Sequence, residues 1–189
     1  LLSACTIPAL PGFTETNTAT TPSGPIVTPT PAVTVTFDVT LPSPLLPGET
    51  LYLSVVDEVT GLGLNPNNHA MQGMDTLHYS LSLAFPIGSV VKYRYIRQSS
   101  LPTQEDDFAD KVVRYRMYYA TAPGTVEDII ASWTDSLFAG AIGRITGTVL
   151  DAADGKPLTN ILINVGGQQT LTDSRGKYCI EGLPVGTQN

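Results

Sequence analysis

From Val33 to Leu41 the chain alternates without a break: Val33, Val35, Phe37, Val39 and Leu41 fall on one side, and Thr34, Thr36, Asp38 and Thr40 on the other. A period of two marks a strand with one buried face. Pro42-Ser43-Pro44 and Pro47-Gly48 end it, because proline removes a backbone donor and glycine admits a turn. A second strand is predicted over Leu51 to Val56, followed by a polar loop carrying Gly61, Gly63 and Asn65-Pro66-Asn67-Asn68. Further strands are predicted over Tyr79 to Phe85, Val90 to Arg97 and Val112 to Ala120, with Pro86-Ile87-Gly88 as the turn between the first two of these. Thr125 to Trp133 fits two periods, since Val126, Ile129, Ile130 and Trp133 also share one helical face; a closing strand is the preferred reading.

Many short strands between turns, with no long helical pattern, predict an all-β chain built on antiparallel β-sandwich modules. Residues 33–135 suffice for one independent core. After a linker over 136–142 the strand pattern restarts with Gly143-Arg144-Ile145-Thr146-Gly147-Thr148-Val149, which opens a second β unit over 143–189. Upstream, residues 6–32 are dominated by Thr, Pro, Ser, Gly and Ala, a composition that cannot bury enough apolar area to offset chain entropy. They are read as a disordered tether, which at about 3.1 Å per extended residue spans roughly 80 Å.

Composition narrows the partners more than the chemistry. The 189 residues are 42% hydrophobic and 14% charged, with a net charge of −7, so nucleic acid is not the expected partner: its phosphates are repelled at long range. No stretch approaches the roughly 20 apolar residues of a membrane-spanning helix. The two cysteines, Cys5 and Cys179, cannot build a disulfide framework or a cysteine metal site.

Leu1-Leu2-Ser3-Ala4-Cys5 resembles the end of a bacterial lipoprotein signal peptide, with Leu2-Ser3-Ala4-Cys5 as the lipobox. The resemblance implies lipidation at Cys5 and an extracytoplasmic protein held to the bacterial cell membrane by that anchor, since two or more acyl chains tether stably. Residues 1–5 are then the end of the signal peptide. Residues 143–186 are similar to the carboxypeptidase regulatory-like domain, a transthyretin-like sandwich. The similarity is carried by Ile145-Thr146-Gly147-Thr148-Val149, Asp154-Gly155-Lys156-Pro157-Leu158, Ile161-Leu162-Ile163-Asn164-Val165, Thr172-Asp173-Ser174-Arg175-Gly176-Lys177-Tyr178 and Gly182-Leu183-Pro184-Val185-Gly186. Asp154-Gly155 and Arg175-Gly176 suit the positive φ of tight hairpins. That family continues with further strands, so the resemblance implies a unit that is C-terminally incomplete here.

The first module resembles the starch-binding-like sandwich of glucoamylase-type carbohydrate-binding modules. The matching residues are Val35-Thr36-Phe37-Asp38-Val39, Gly48-Glu49-Thr50-Leu51-Tyr52-Leu53, Pro86-Ile87-Gly88 leading into Val91-Lys92-Tyr93-Arg94-Tyr95, and Trp133 after Val126-Glu127-Asp128. A glucan site of that kind presents paired exposed aromatic side chains, whereas the single tryptophan stands where the family packs its core. The fold is implied and the starch is not.

Catalytic patterns are poor. His69 and His78 flank a loop with Asp75 and Ser80 nearby, without a nucleophile elbow or a His-Glu-x-x-His motif, and are read as surface histidines beside a turn. Glu105-Asp106-Asp107 with Asp110 lacks the alternating ligands and glycine of a calcium loop and is read as a solvated acidic loop. No catalytic residue, metal or cofactor is expected, and the chain is read as non-enzymatic. The unusual feature is a concentration of Tyr with Lys and Arg: six of the ten basic residues lie between Lys92 and Arg116. If Val90 to Arg97 and Val112 to Ala120 pair as a hairpin with Lys92, Arg94, Arg114, Arg116 and Tyr118 outward, they form a basic patch able to meet a polysaccharide or another surface protein. The competing reading is structural, with Tyr packed inward and Arg balanced by nearby Asp or Glu. Two functions stay open: a carbohydrate-binding module with an exposed aromatic platform, or a stalk presenting a downstream domain.

Overall fold

A computed structural model describes residues 30–56, 66–107 and 109–186. Cys5, residues 6–29 of the tether and residues 57–65 of the polar loop lie outside the described residues. Among those described every regular element is a strand. The first half of the chain supplies β1 (Ala32–Thr40), β2 (Thr50–Val56), β3 (Asn67–Ala70), β4 (Gln72–Gly73), β5 (His78–Pro86), β6 (Ser89–Gln98) and β7 (Thr103–Gln104). Then come β8 (Arg116–Ala120), β9 (Gly124–Ile129), β10 (Ser132–Trp133), β11 (Ser136–Leu137) and β12 (Gly143–Thr148), followed by β13 (Leu162–Val165), β14 (Gln168–Leu171) and β15 (Lys177–Leu183).

Two large sheets have the orders β4-β5-β1-β9 and β13-β14-β8-β6-β2-β3, with β7 on β6, beside two-stranded sheets β10-β11 and β12-β15. The pairs are antiparallel except β1 with β9, which run parallel from Val35↔Gly124 to Thr40↔Ile129. The alternation predicted for β1 is what the packing uses: Val33, Val35, Phe37, Val39 and Leu41 are buried. They meet Leu51 and Leu53 of β2, Val91, Tyr93 and Tyr95 of β6, and Tyr118 and Ala120 of β8. Phe37 is the hub, its ring 4.8 Å from that of Tyr93 and 6.2 Å from that of Phe85, both edge to face. Each such side chain stabilises the fold by about 1.5–3 kcal/mol when fully buried.

The ambiguous segment resolves as strands. In β9 Val126 and Asp128 are buried between exposed Thr125 and Glu127, a period of two that no helix gives. Trp133, in β10, is core, as its position implies. Two predicted strands change extent. Asn67 and Asn68, read as loop, pair with Val55 and Ser54. The strand predicted from Val112 starts at Arg116, because Val112 bridges to Asp106 instead.

In residues 143–186, β12 pairs with β15 in the register Ile145↔Ile180. The positive φ expected of the hairpin glycines occurs at Gly155 (+72°) and Gly176 (+70°). The hairpin β13–β14 turns through Gly166 and Gly167, both at positive φ, as a two-residue turn requires. This hairpin continues the sheet of the first module: β14 joins β8 at Gln169↔Met117. The Gln168 amide donates to the carbonyls of Glu127 (2.9 Å) and Gly182 (3.0 Å), and the Tyr119 N–H donates to Gln169 Oε1 (2.6 Å). A side chain at Gly167 would stand 2.6 Å from the Thr125 carbonyl, so contact between the two parts of the chain is closest there.

Candidate functional site

The register of β6 with β8 decides which basic residues face solvent. Tyr93 lies opposite Arg116, Val91 opposite Tyr118 and Ser89 opposite Ala120; partners across a ladder share a face, and Val91 and Tyr93 are core. Arg116 and Tyr118 therefore point inward, against the expectation of an outward patch that includes them. Alternation was read correctly along each strand. Grouping the arginines of the two strands by charge put opposite faces together.

Inside, Arg116 is the centre of a charged network. Its Nη2 donates to Glu105 Oε2 (2.8 Å) and to the Ile129 carbonyl (3.0 Å), its Nη1 to Asp128 Oδ1 (3.1 Å) and its Nε to Glu105 Oε2 (3.1 Å). Asp128 Oδ2 accepts from the hydroxyls of Tyr93 (2.9 Å) and Tyr95 (2.8 Å), and Glu105 Oε1 from the N–H of Tyr95 (3.0 Å). The Arg116 side chain is 14% exposed and both carboxylates 0%. Burial pulls the guanidinium pKa down, but the charges of Asp128 and Glu105 more than reverse this and leave it well above its ordinary value. Burial pushes Glu105 up, against the pull of Arg116. It also raises both tyrosines far above their usual range, with Asp128 adding to the effect, so they act as hydrogen-bond donors.

The acidic cluster is thus not a solvated loop. Glu105 and Asp106 are buried, while Asp107 folds its own turn, its Oδ1 accepting from the N–H groups of Ala109 and Lys111. The Asp75 and His78 pair is exposed beside its turn, as predicted. Asp75 Oδ1 accepts from the N–H groups of Leu77 and His78, which, with the His78 ring, hold its carboxyl below the usual range.

The outward face of the seven-stranded sheet has a different composition from the one expected. Val56 lies opposite Lys92, Ser54 opposite Arg94 and Tyr52 opposite Ile96, while Met117 lies opposite Lys92 and Tyr119 opposite Val90. Lys92 and Arg94 are therefore outward as predicted, both half-buried. Lys92 Nζ stands 5.0 Å from the ring centroid of Tyr115, and the Arg114 guanidinium 5.9 Å. Tyr115, 38% exposed, joins half-buried Tyr52 and Tyr119 at this surface. Ser54, Val56, Ile96 and Met117 on the same face are buried, so what the face offers to solvent is the Tyr115 ring with parts of half-buried Lys92, Arg94, Tyr52 and Tyr119, groups able to stack and to donate hydrogen bonds. A cleft of about 690 Å³ runs from it toward β12 and β15, lined among others by Lys92, Arg114, Tyr115, Met117, Gln169 and Leu171.

No protein-family model matches the sequence, and no curated protein matches it. Among solved structures the chain is similar to a Glycoside Hydrolase Family 15 glucoamylase from Hypocrea jecorina, at 23% identity over 56% of this chain and 18% of that one, with a TM-score of 0.40. The chain spans less than a fifth of that protein's length, and the likeness carries no activity across.

Tyr52, Tyr115 and Tyr119 were not among the predicted site residues. Tyr115 and Tyr119 alternate with Arg114, Arg116 and Tyr118, and only the partner strand shows which set is outward. A signal for Arg116 was present in Asp128, a carboxylate set between Val126 and Ile129-Ile130. An acid on the apolar side of a closing strand needs a buried cation.

Two outcomes follow from the network. Arg116→Met leaves two buried carboxylates unpaired and should destabilise the protein by about 3–5 kcal/mol in urea unfolding, whereas Arg94→Gln should cost less than about 1 kcal/mol. Burial raises Glu105 above its ordinary 4.5, so the folded state holds that proton more tightly than the unfolded chain. The resulting stabilisation is present below the ordinary value and is lost as pH rises through the folded-state pKa. Glu105→Gln removes this dependence. The variant should therefore gain stability relative to the parent between acid and neutral pH, as read from urea midpoints across that range.

Proposed function

We propose that this chain is a non-catalytic, extracytoplasmic protein, lipid-anchored through Cys5, whose first β-sandwich binds carbohydrate on the outward face of β2, β6 and β8. The observation that carries the reading is the exposed Tyr115 ring beside Lys92, with half-buried Tyr52 and Tyr119 on the flanking strands, since exposed aromatic side chains separate a sugar-binding sandwich from an inert one. The anchor rests on Leu2-Ser3-Ala4-Cys5. Membrane attachment and an exposed aromatic at the sheet surface suit a protein that holds polysaccharide, or a glycosylated surface partner, near the cell.

A second reading, a stalk that presents a further domain, is favoured by the junction. There β14 extends the first sheet and Gln168 ties Glu127 to Gly182, so the two parts of the chain are joined stiffly rather than strung on a linker.

A glycan array separates the two. Wild type should give signal, and Tyr52→Ala with Tyr119→Ala should lose it with the unfolding midpoint shifted by less than about 1 kcal/mol equivalent, because neither ring is core. A silent array with intact fold leaves the stalk. In cells, palmitate labelling should require Cys5 and disappear in Cys5→Ala; labelling that persists in that variant overturns the anchor.

A further inference from the structure

We infer that the end of the sandwich at which β1 finishes is a membrane-docking tip, resting against a zwitterionic lipid surface through Leu46, Met74, Leu101 and Leu137. The inference is separate from the carbohydrate reading and rests only on the proposed anchoring, which keeps the protein near a bilayer.

Four segments meet at that end. Thr40 lies opposite His78 and Ile129, and Thr50 opposite Gln98, so residues 41–49, 71–77, 99–102 and 130–137 all leave the two large sheets at the same end. They are pinned to the fold and to one another. The Leu41 N–H donates to the Leu77 carbonyl (2.9 Å), and the Ser43 hydroxyl to that of Ser136 (3.1 Å). Arg97 Nη2 donates to Asp135 Oδ2 (2.7 Å), its Nε stands 3.7 Å from Glu49 Oε1, and Glu49 Oε2 accepts from the Leu46 N–H (2.8 Å).

This frame carries four of the five most exposed large apolar side chains among the described residues: Leu101 is 77% exposed, Met74 71%, Leu46 65% and Leu137 63%. Such side chains gathered in one place mark an interaction surface, whereas scattered ones do not. Each stands on a different segment, so they form prongs rather than a groove. Prongs on pinned loops suit a fluid lipid surface, which closes around each without a matching pocket.

The charge of the tip selects the lipid. None of the four segments contains a lysine or arginine. Arg97, at the end of β6, is nearly buried and held by Asp135, and Asp75 is bonded to His78 and to two backbone N–H groups. Docking on anionic lipid relies on exposed lysine or arginine; this tip has neither, and the chain carries a net charge of −7.

Reach permits the contact. Residues 6–31, extended at about 3.1 Å each, span roughly 80 Å, against about 30 Å for the length of β1. A chain anchored at Cys5 can therefore turn either end of the sandwich to the bilayer, and the end with the exposed leucines gains most by leaving water.

Vesicle flotation of the whole chain carrying Cys5→Ala tests the tip with no acyl chain present, so its outcome is independent of the anchor, which palmitate labelling tests. The protein should float with phosphatidylcholine vesicles. Leu46→Ser and Leu101→Ser should each lower the partition coefficient by about fivefold, and both together with Met74→Ser and Leu137→Ser by more than about a hundredfold. All four side chains are exposed, so the urea midpoint should stay where it is. Ile87→Ser, in the turn at the opposite end beside Pro31, should leave flotation unchanged, and adding phosphatidylglycerol should weaken it. No flotation of the parent, or an equal loss in Ile87→Ser, overturns the inference. Tighter binding to phosphatidylglycerol vesicles overturns the choice of zwitterionic lipid. A concentration-dependent dimer in sedimentation, abolished by the four serine substitutions, assigns the tip to a second copy of this chain and overturns the membrane.

Discussion

The interaction on which the first module depends is the placement of Arg116 between Glu105 and Asp128, under the ring of Tyr95. A guanidinium and two carboxylates in a sandwich interior are expensive to desolvate. They persist because nearly every donor and acceptor is used: Arg116 reaches both acids and the Ile129 carbonyl, and Asp128 also serves two tyrosine hydroxyls. The network ties β6, β8, β9 and the segment leading to β8 at a single point. Such a cluster adds little net stability over an apolar core, but it tolerates only one register, since a slip of one residue would carry Arg116 to the opposite face.

That register has a consequence on the other side of the sheet. With Arg116, Tyr118 and Ala120 committed inward, Met117, itself buried, and Tyr119 take the other face, alongside Lys92 and Arg94 of β6, and Tyr115 lies just before the strand with Lys92 over its ring. The aromatic surface is the complement of the buried network. The same strand supplies a polar core and an amphipathic exterior because nearly every position on it is large and able to serve either.

The C-terminal residues are fastened to the edge of this arrangement. Gly182 sits so close to Arg116 that a side chain there would come within 3.2 Å of Nη1 and 2.6 Å of the Ile129 carbonyl. Glycine at Gly167 and Gly182 is what lets residues 143–186 approach the strands that carry Asp128 and Arg116. The buried network, the outward face and the junction therefore share strands β8 and β9, and a change in one has a short path to the others.

The sequence by itself determined the strands whose two faces differ in polarity. β1 was legible to within a residue at either end because valine and phenylalanine alternate with threonine and aspartate, and burial needs no more information than that. The turns at Gly88, Gly155 and Gly176 were legible for a similar reason, since glycine marks the backbone conformations other residues avoid. What only the tertiary structure decided was the sidedness of β8. Arg114, Arg116 and Tyr118 on one set and Tyr115, Met117 and Tyr119 on the other are alike in size and amphipathic character, so alternation leaves two equal choices. The choice falls to partners distant in sequence: Tyr93 across the ladder, and Glu105 and Asp128, which lack a cation until Arg116 turns toward them. Local pattern fixes the period of a strand, but its inward face is fixed by whichever orientation leaves no buried charge alone.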